Sequence, residues 1–296
     1  MATLKDIRRR IGSVKSTQKI TRAMKMVAAA KLRKAQEKAE NFRAYADLSA
    51  SILIEVAAGA TAEDHPLLER RPEPSRSLLL VIGADRGLCG GFNSNLNRDV
   101  LALLKETAAR GELVPELDII GRKPKEFFAR RDAVVRQFHA GVYDSPDYGT
   151  AARIARELSG SYEAGEIDRI DLEFNEMVSM VSQKPVRRPL LPIALPERTD
   201  DDGPDQGLRP VGFIFEPGRR ELLARLLPLY VEVQIYRALL ESIAAEQAAR
   251  MTAMDNATNN AADMIEHLTL VYNRARQSAI TSELMDIVGG AEALGE

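Results

Sequence analysis

The sequence contains no tryptophan, a single cysteine and only three histidines among 296 residues. One cysteine excludes a disulfide framework within the chain and fits a reducing compartment. The three scattered histidines form no metal-binding pattern, so we expect no bound metal. No apolar run reaches the roughly 18 residues of a membrane-spanning helix, and the N-terminus lacks the apolar stretch of a secretory signal. We therefore expect a soluble or peripheral protein.

Glycine and proline are missing from two long stretches, Ser13 to Ala58 and Leu229 to Val288. As helices, these stretches would reach roughly 70 Å and 90 Å, and helices of that length need a partner. The first 45 or so residues hold thirteen Lys or Arg against three acids, whereas the stretch after Leu229 holds four arginines against ten acids. We expect an antiparallel coiled coil in which the basic end lies at least partly on the acidic end.

Both stretches repeat apolar or small residues at spacings of three and four, the periodicity of a helix that buries one face. In the first stretch these seam positions are Leu4, Ile7, Ile11, Val14, Gln18, Thr21, Met24 and Ala28. In the second they run from Leu240 to Ala279 and are rich in Ala and Met. Ala lets two backbones approach closely and Met tolerates imperfect fit, so we predict a close but adaptable seam.

The middle of the chain alternates short apolar runs with amphipathic segments, which predicts an α/β fold. The predicted strands are residues 77–83, 117–121, 133–138, 167–180, 184–195 and 211–215, and the predicted helices are residues 93–110, 123–131 and 148–162. We expect a Rossmann-like domain, with a mostly parallel sheet and some antiparallel edge, inserted between the terminal helices. The predicted parts are an N-terminal helix 1–58, a linker 59–76, an α/β domain 77–216 and a C-terminal helix 217–296. An acidic loop, 198–209, has no assigned role.

Residues 83–93, Gly-Ala-Asp-Arg-Gly-Leu-Cys-Gly-Gly-Phe-Asn, follow the first predicted strand, where a doubly wound fold places its phosphate loop. Their glycines do not match G-x-G-x-x-G, and no Lys-Ser/Thr pair follows. We interpret them as a tight structural turn or docking loop and expect no cofactor, while a nucleotide site remains the alternative. Cys89 has no histidine near it in sequence, so we do not expect a catalytic thiol.

The basic run of the N-terminal helix has three functional interpretations besides a solvated face. Nucleic-acid binding would need stacking aromatics, which are absent from the run, and membrane-surface binding would need bulkier apolar residues opposite the charges. An acidic protein partner fits better. Near the other end, Arg276 and Gln277 precede Thr281 and Glu283. Arg276 and Glu283 are too far apart for an i,i+4 pair, so this polar group also suits contact with another chain.

Five segments closely resemble the γ subunit of bacterial F-type ATP synthases. They lie in order along the chain, at Lys5 to Val14, Thr17 to Ala30, Asp85 to Asn93, Glu246 to Met254 and Tyr272 to Thr281. The resemblance implies a non-catalytic rotor shaft that couples proton-driven rotation of a c-ring to ATP synthesis or hydrolysis at the β subunits of an α3β3 hexamer. It further implies an ε subunit as partner, one copy per complex without homo-oligomers, no nucleic-acid binding, and a peripheral place on the cytoplasmic face of the bacterial inner membrane.

The same resemblance implies roles for individual residues. Four match positions that face the acidic lower lobe of the β subunit: Arg8, Arg9, Met24 and Lys25. Four match an upper polar latch to a β-subunit loop: Arg276, Gln277, Thr281 and Glu283. Ile287 and Val288 match the apolar tip that turns in a sleeve of α3β3, and Cys89 with its loop matches the approach of the globular domain to the bottom of β. The single cysteine excludes the regulatory dithiol of the chloroplast type, which favours a bacterial enzyme, with a mitochondrial mature form as the alternative.

Two rival interpretations come from other functional classes. One is a structural coiled-coil adaptor whose basic arm binds an acidic partner or an anionic surface, which would show as salt-dependent binding. The other is a nucleotide-dependent activity of the α/β domain. Neither accounts for both terminal helices.

Overall fold

The computed structural model describes residues 3–57, 64–72, 74–143, 146–194 and 218–293. The chain divides into two compact units, Met1–Ala29 with Arg250–Glu296, and Ala30–Ala249. Two long helices, α1 (Leu4–Ala57) and α5 (Arg219–Ala293), supply residues to both units. Pro228 lies inside α5 and does not end the helix. Within the described ranges, no helix is long and apolar enough to cross a membrane.

In the first unit, α1 and α5 run antiparallel, as predicted. The hydroxyl oxygens of Thr21 and Thr258 lie 2.8 Å apart, and Lys25 Nζ donates to Asp255 Oδ1 at 2.6 Å. The later residue of α1 therefore contacts the earlier residue of α5, as it must in an antiparallel pair. All eight predicted seam positions of α1 are buried or half-buried, which confirms the helical periodicity. Much of the basic run, including Arg8 and Arg9, is exposed, so basic-on-acidic pairing accounts for only part of it.

The second unit contains a five-stranded sheet in the order β3-β2-β1-β4-β5. Strands β1 to β4 are parallel, and β5 pairs antiparallel with β4, which confirms the predicted sheet. The strands are β1 (Ser77–Ile82), β2 (Glu116–Ile120), β3 (Val135–His139), β4 (Arg169–Met177) and β5 (Gln183–Leu191). The connecting helices are α2 (Phe92–Ala109), α3 (Arg122–Phe128) and α4 (Tyr148–Glu163). The predicted strand 211–215 and the acidic loop 198–209 lie outside the described residues.

Strand β1 is buried on both faces because alternate residues enter two different cores. Leu78, Leu80 and Ile82 join a large cluster with α4 and α5. Leu79 and Val81 join a second cluster with α2. This is why β1 reads as a continuous apolar run rather than an alternating one.

The described part of the predicted linker packs against the α/β domain. Leu67, in a short 3-10 helix (Pro66–Leu68), is fully buried. Arg71 donates to the carbonyl oxygens of Tyr162 and Ile167 and to the carboxylate of Asp168. Burial alone would raise the pKa of Asp168, but Arg71 and the Ser75 and Arg76 N–H groups hold it lower, at about 2. Asp168 therefore anchors this segment as a charged hydrogen-bond acceptor.

A buried carboxyl group makes the stability of the second unit depend on pH. Arg187 Nε donates to Glu173 Oε2 at 2.8 Å, and Asp99 lies 3.8 Å from the same guanidinium. Burial, and then the neighbouring Asp99, raises the pKa of Glu173 to about 8, although Arg187 opposes this. The pKa of a glutamate in an unfolded chain is about 4.3. Between this pH and about 8, Glu173 therefore keeps its proton in the folded chain but has lost it in the unfolded chain.

The free energy of unfolding is thus expected to fall as pH rises from about 4.5 to about 8, by up to roughly 5 kcal/mol from this group at about 1.4 kcal/mol per pKa unit. Glu173→Gln should flatten that part of the profile, because the amide does not titrate. Glu112→Gln, at an exposed position, is the matched control. Urea denaturation across this pH range measures the effect, and an unchanged slope in Glu173→Gln would refute the assignment.

Candidate functional site

The glycine-rich loop after β1 is closed by the side chain of Asn93. Its Oδ1 accepts from the Ala84 N–H at 3.1 Å, and its Nδ2 donates to Arg86 O at 3.2 Å and to Cys89 Sγ at 3.3 Å. One amide therefore holds both sides of the loop, which fits a structural turn.

The positions where a nucleotide would bind are occupied by the chain itself. In a doubly wound sheet a ligand lies beyond the carboxyl ends of the strands, at the point where the strand order reverses, here between β1 and β4. Ser242 of α5 lies there: its Oγ donates to Ile82 O at 3.4 Å, and its carbonyl accepts from the Tyr143 hydroxyl at 3.0 Å. At the start of α3, the Arg122 N–H donates to Asp85 Oδ1 at 2.8 Å, so a carboxylate of the chain already satisfies this helix terminus.

Cys89 is only 2 % exposed, so its sulfur does not reach the surface. The exposed residues of its loop are Arg86, Gly87 and Leu88 before it and Gly90 and Gly91 after it. Leu88 is 65 % exposed and has a φ of +63°, an unusual backbone conformation for leucine. Sequence reasoning missed Leu88, although an apolar side chain among loop glycines is a signal for an exposed contact. If this loop contacts another chain, its exposed residues make the contact and the buried thiol does not.

The structure brings part of the predicted basic surface into contact with α5. Lys25 pairs with Asp255, and both side chains stay close to half exposed. Met24, beside it, is half-buried in the seam between the two helices. Arg8 and Arg9 are exposed, and among the described residues no ion pair involves them. Two of the four residues therefore face solvent, and two lie at the edge of the coiled coil.

The predicted polar group of α5 lies entirely at the surface. Arg276, Gln277, Thr281 and Glu283 are all exposed, and the Thr281 hydroxyl donates back to Gln277 O at 2.9 Å. Beyond them, large apolar side chains are 54–68 % exposed: Leu284, Met285, Ile287 and Val288. Such a concentration of exposed apolar area on one helix indicates a contact surface.

A family model described as ATP synthase matches residues 3–294. The ATP synthase gamma chain of Pelotomaculum thermopropionicum is 48 % identical over 294 residues, covering 99 % of this chain and all of that one. The ATP synthase gamma chain of Heliobacterium modesticaldum is likewise 48 % identical over 297 residues, covering all of both chains.

Solved structures with a similar fold come from rotary assemblies. A chain of the central stalk/c-ring structure of the Tetrahymena thermophila mitochondrial ATP synthase has a TM-score of 0.59 and 27 % identity, over 80 % of this chain and 99 % of that one. A chain of the Euglena gracilis mitochondrial ATP synthase rotor gives a TM-score of 0.63 over 94 % of this chain and 98 % of that one. Its 19 % identity supports the fold alone.

Proposed function

The chain belongs to the γ-chain family of F-type ATP synthases, the central-stalk subunits, and from this we propose that it is a non-catalytic rotor shaft. In the proposal, the chain turns inside an α3β3 hexamer whose β subunits carry the catalytic sites. Its asymmetry makes the three β subunits adopt different states, because each meets a different face of the shaft at any moment. Rotation of the c-ring, driven by protons, would thus be coupled to ATP synthesis or hydrolysis.

The observation that carries the proposal is the exposed apolar end of α5. Burial of one large apolar side chain stabilises a protein by about 1.5–3 kcal/mol. Much of this stabilisation is missing for four side chains that are mostly exposed here: Leu284, Met285, Ile287 and Val288. A surrounding sleeve of α3β3 would remove this area from water. In this proposal Ile287 and Val288 turn against the sleeve. The polar latch to a β-subunit loop lies just before them and consists of Arg276, Gln277, Thr281 and Glu283.

The isolated chain is expected to aggregate at low salt because its apolar tip has no sleeve. Ile287→Ser combined with Val288→Ser should raise the concentration at which the chain stays monodisperse in light scattering. Ile20→Ser, which removes a similarly exposed apolar side chain on α1, serves as the control. Equal aggregation of the tip variant and the unaltered chain would contradict the role given to the tip.

Arg8, Arg9, Met24 and Lys25 are proposed to face an acidic lobe of the β subunit, and the Cys89 loop to approach the bottom of β through Leu88. Contacts between partly exposed charges are worth about 0–1 kcal/mol and are screened by salt. Weak contacts of this kind suit a surface that must leave one β subunit and meet the next. The internal Lys25–Asp255 pair weakens the contact further, since Asp255 competes for the same ammonium.

Asp255→Asn is therefore expected to release Lys25 for the partner while lowering the free energy of unfolding by less than about 1 kcal/mol. ATP hydrolysis by the complex should slow at low salt and recover at high salt, because the strengthened contact is screened. Adding Lys25→Gln to the variant should abolish the slowing. A salt profile identical to that of the unaltered complex would remove Lys25 from the proposed contact set.

Residues 1–58 and 217–296 would form the shaft, joined through the linker 59–76 to the α/β domain 77–216, which would lie near an ε subunit and the c-ring. One copy would serve each complex, at the cytoplasmic face of the bacterial inner membrane. The test is purification of the tagged chain from its own cells: we expect α, β and ε subunits in the ratio 3:3:1 to the one tagged chain. A tagged chain free of α and β would overturn the function.

A further inference from the structure

A groove on the α/β domain runs between α2 and α3, next to the glycine-rich loop that Asn93 closes. Its floor includes the half-buried apolar side chains of Leu101 and Phe127 and the buried amide of Asn97. Asn93 and Ser94 border one end. The groove is open along its length, so it suits an extended or helical segment rather than an enclosed small molecule.

The sides of the groove are strongly basic. Four cations line it against a single acid, Glu126: they are Arg98, Lys123, Arg130 and Arg131. Lys123 pairs with Glu126 at 2.7 Å, and the Arg131 guanidinium stacks 3.4 Å from the centre of the Phe127 ring. Arg98 is exposed, and within the described ranges no ion pair involves it. The surplus positive charge therefore favours a ligand that carries carboxylates.

The floor distinguishes between kinds of anionic ligand. Asn97 is 4 % exposed, and its Oδ1 has no hydrogen-bond partner among the described atoms. A ligand with hydrogen-bond donors would satisfy this acceptor, whereas phosphate or another simple anion has no apolar surface to cover Leu101 and Phe127. A polypeptide supplies N–H donors, carboxylates for the arginines and apolar side chains for Leu101 and Phe127. The three features together match one class of ligand.

We propose that this groove binds an acidic, amphipathic polypeptide segment of another subunit. The inference rests on the proposed function, because it takes the chain to work in a multi-subunit assembly. It adds an interface on the α/β domain to those proposed above: carboxylates of the partner pair with Arg98 and Arg130, and its apolar side chains cover Leu101 and the Phe127 ring. The interface lies on the α/β domain, beside Asn93 of the Cys89 loop, and includes none of the contact residues proposed on α1 and α5.

The experiment places the photoreactive amino acid p-benzoylphenylalanine at Phe127, where it keeps an aromatic ring in the same place. The assembled, purified ATP synthase is irradiated and the crosslinked peptide is identified by mass spectrometry. We expect a single major crosslink to an acidic segment of another subunit. Its yield should fall at least about threefold when Arg98→Gln and Arg130→Gln are added, as expected from the loss of two partly exposed ion pairs.

Arg110→Gln with Arg153→Gln removes two exposed arginines outside the groove and should leave the yield unchanged. A crosslink to residues 198–209 of this chain would overturn the proposal by showing that its own acidic loop fills the groove. Absence of a crosslink in a complex that assembles and pumps protons would also overturn it while leaving the rotor function intact. Failure of the unaltered chain to assemble with α3β3 would overturn both.

Discussion

Met24→Lys is expected to lower the number of protons pumped per ATP hydrolysed several-fold. Met24 is half-buried beside the Lys25–Asp255 pair, and Thr21, one turn away, is in buried contact with Thr258. A lysine here can extend its ammonium out of the seam into solvent. Two adjacent ammoniums would then share one carboxylate, and the surplus charge would bind the acidic lobe of β too tightly to be released in step with the c-ring.

The control for this substitution is Met24→Leu, which keeps the apolar volume and should remain coupled. High salt should partly restore pumping in Met24→Lys, because the added contact is electrostatic and partly exposed. The measurement compares ATP hydrolysis with ATP-driven acidification of membrane vesicles that contain the complex. Coupling as tight as in the unaltered complex, at low salt, would remove Met24 from the contact set.

Gly121→Ala is expected to destabilise the α/β domain by about 3 kcal/mol or more. Gly121 has a φ of +102°, and a Cβ atom there would lie 2.0 Å from Gly83 O. The neighbouring backbone cannot move freely, because the Gly83 N–H donates to Ile120 O and the Lys123 N–H donates to Ala84 O. The side chain therefore disturbs the end of β1, the end of β2 and the start of α3 together.

The matched control is Gly111→Ala. Gly111 also has a positive φ, +67°, but a Cβ atom there would meet nothing within 4 Å, so only backbone strain of about 1–2 kcal/mol remains. Urea denaturation should be carried out in the chain with the serine-substituted tip, which is expected to stay monodisperse. Equal losses of stability in the two variants would show that the contact with Gly83 does not control this turn.

The sequence predicted most of the architecture because its signals are local. Seam spacing in α1 predicted which residues are buried, and short apolar runs predicted the parallel strands of the sheet. The Lys25–Asp255 pair could not be predicted, because the partners are 230 residues apart and their pairing depends on the register of two long helices. That register is set by many weak contacts rather than by one motif.

The candidate site shows the same division between local and distant information. The glycine loop was expected to be a turn, and Asn93 closes it from within the same motif. The burial of Cys89 and the position of Ser242 beyond β1 depend on how α5 packs, which no local pattern encodes. The basic groove was missed for a similar reason, since its cations come from α2 and from the segment around α3, with β2 between them in sequence.

The central claim is that this chain rotates relative to α3β3 as ATP is hydrolysed. The direct measurement is single-molecule observation of a probe attached to a cysteine introduced at the exposed Arg110, in a complex immobilised through its β subunits. Because Cys89 is buried, the introduced thiol should label selectively. The account predicts rotation in one direction with three pauses per turn when ATP is added. ATP hydrolysis at a normal rate with a stationary probe would contradict it.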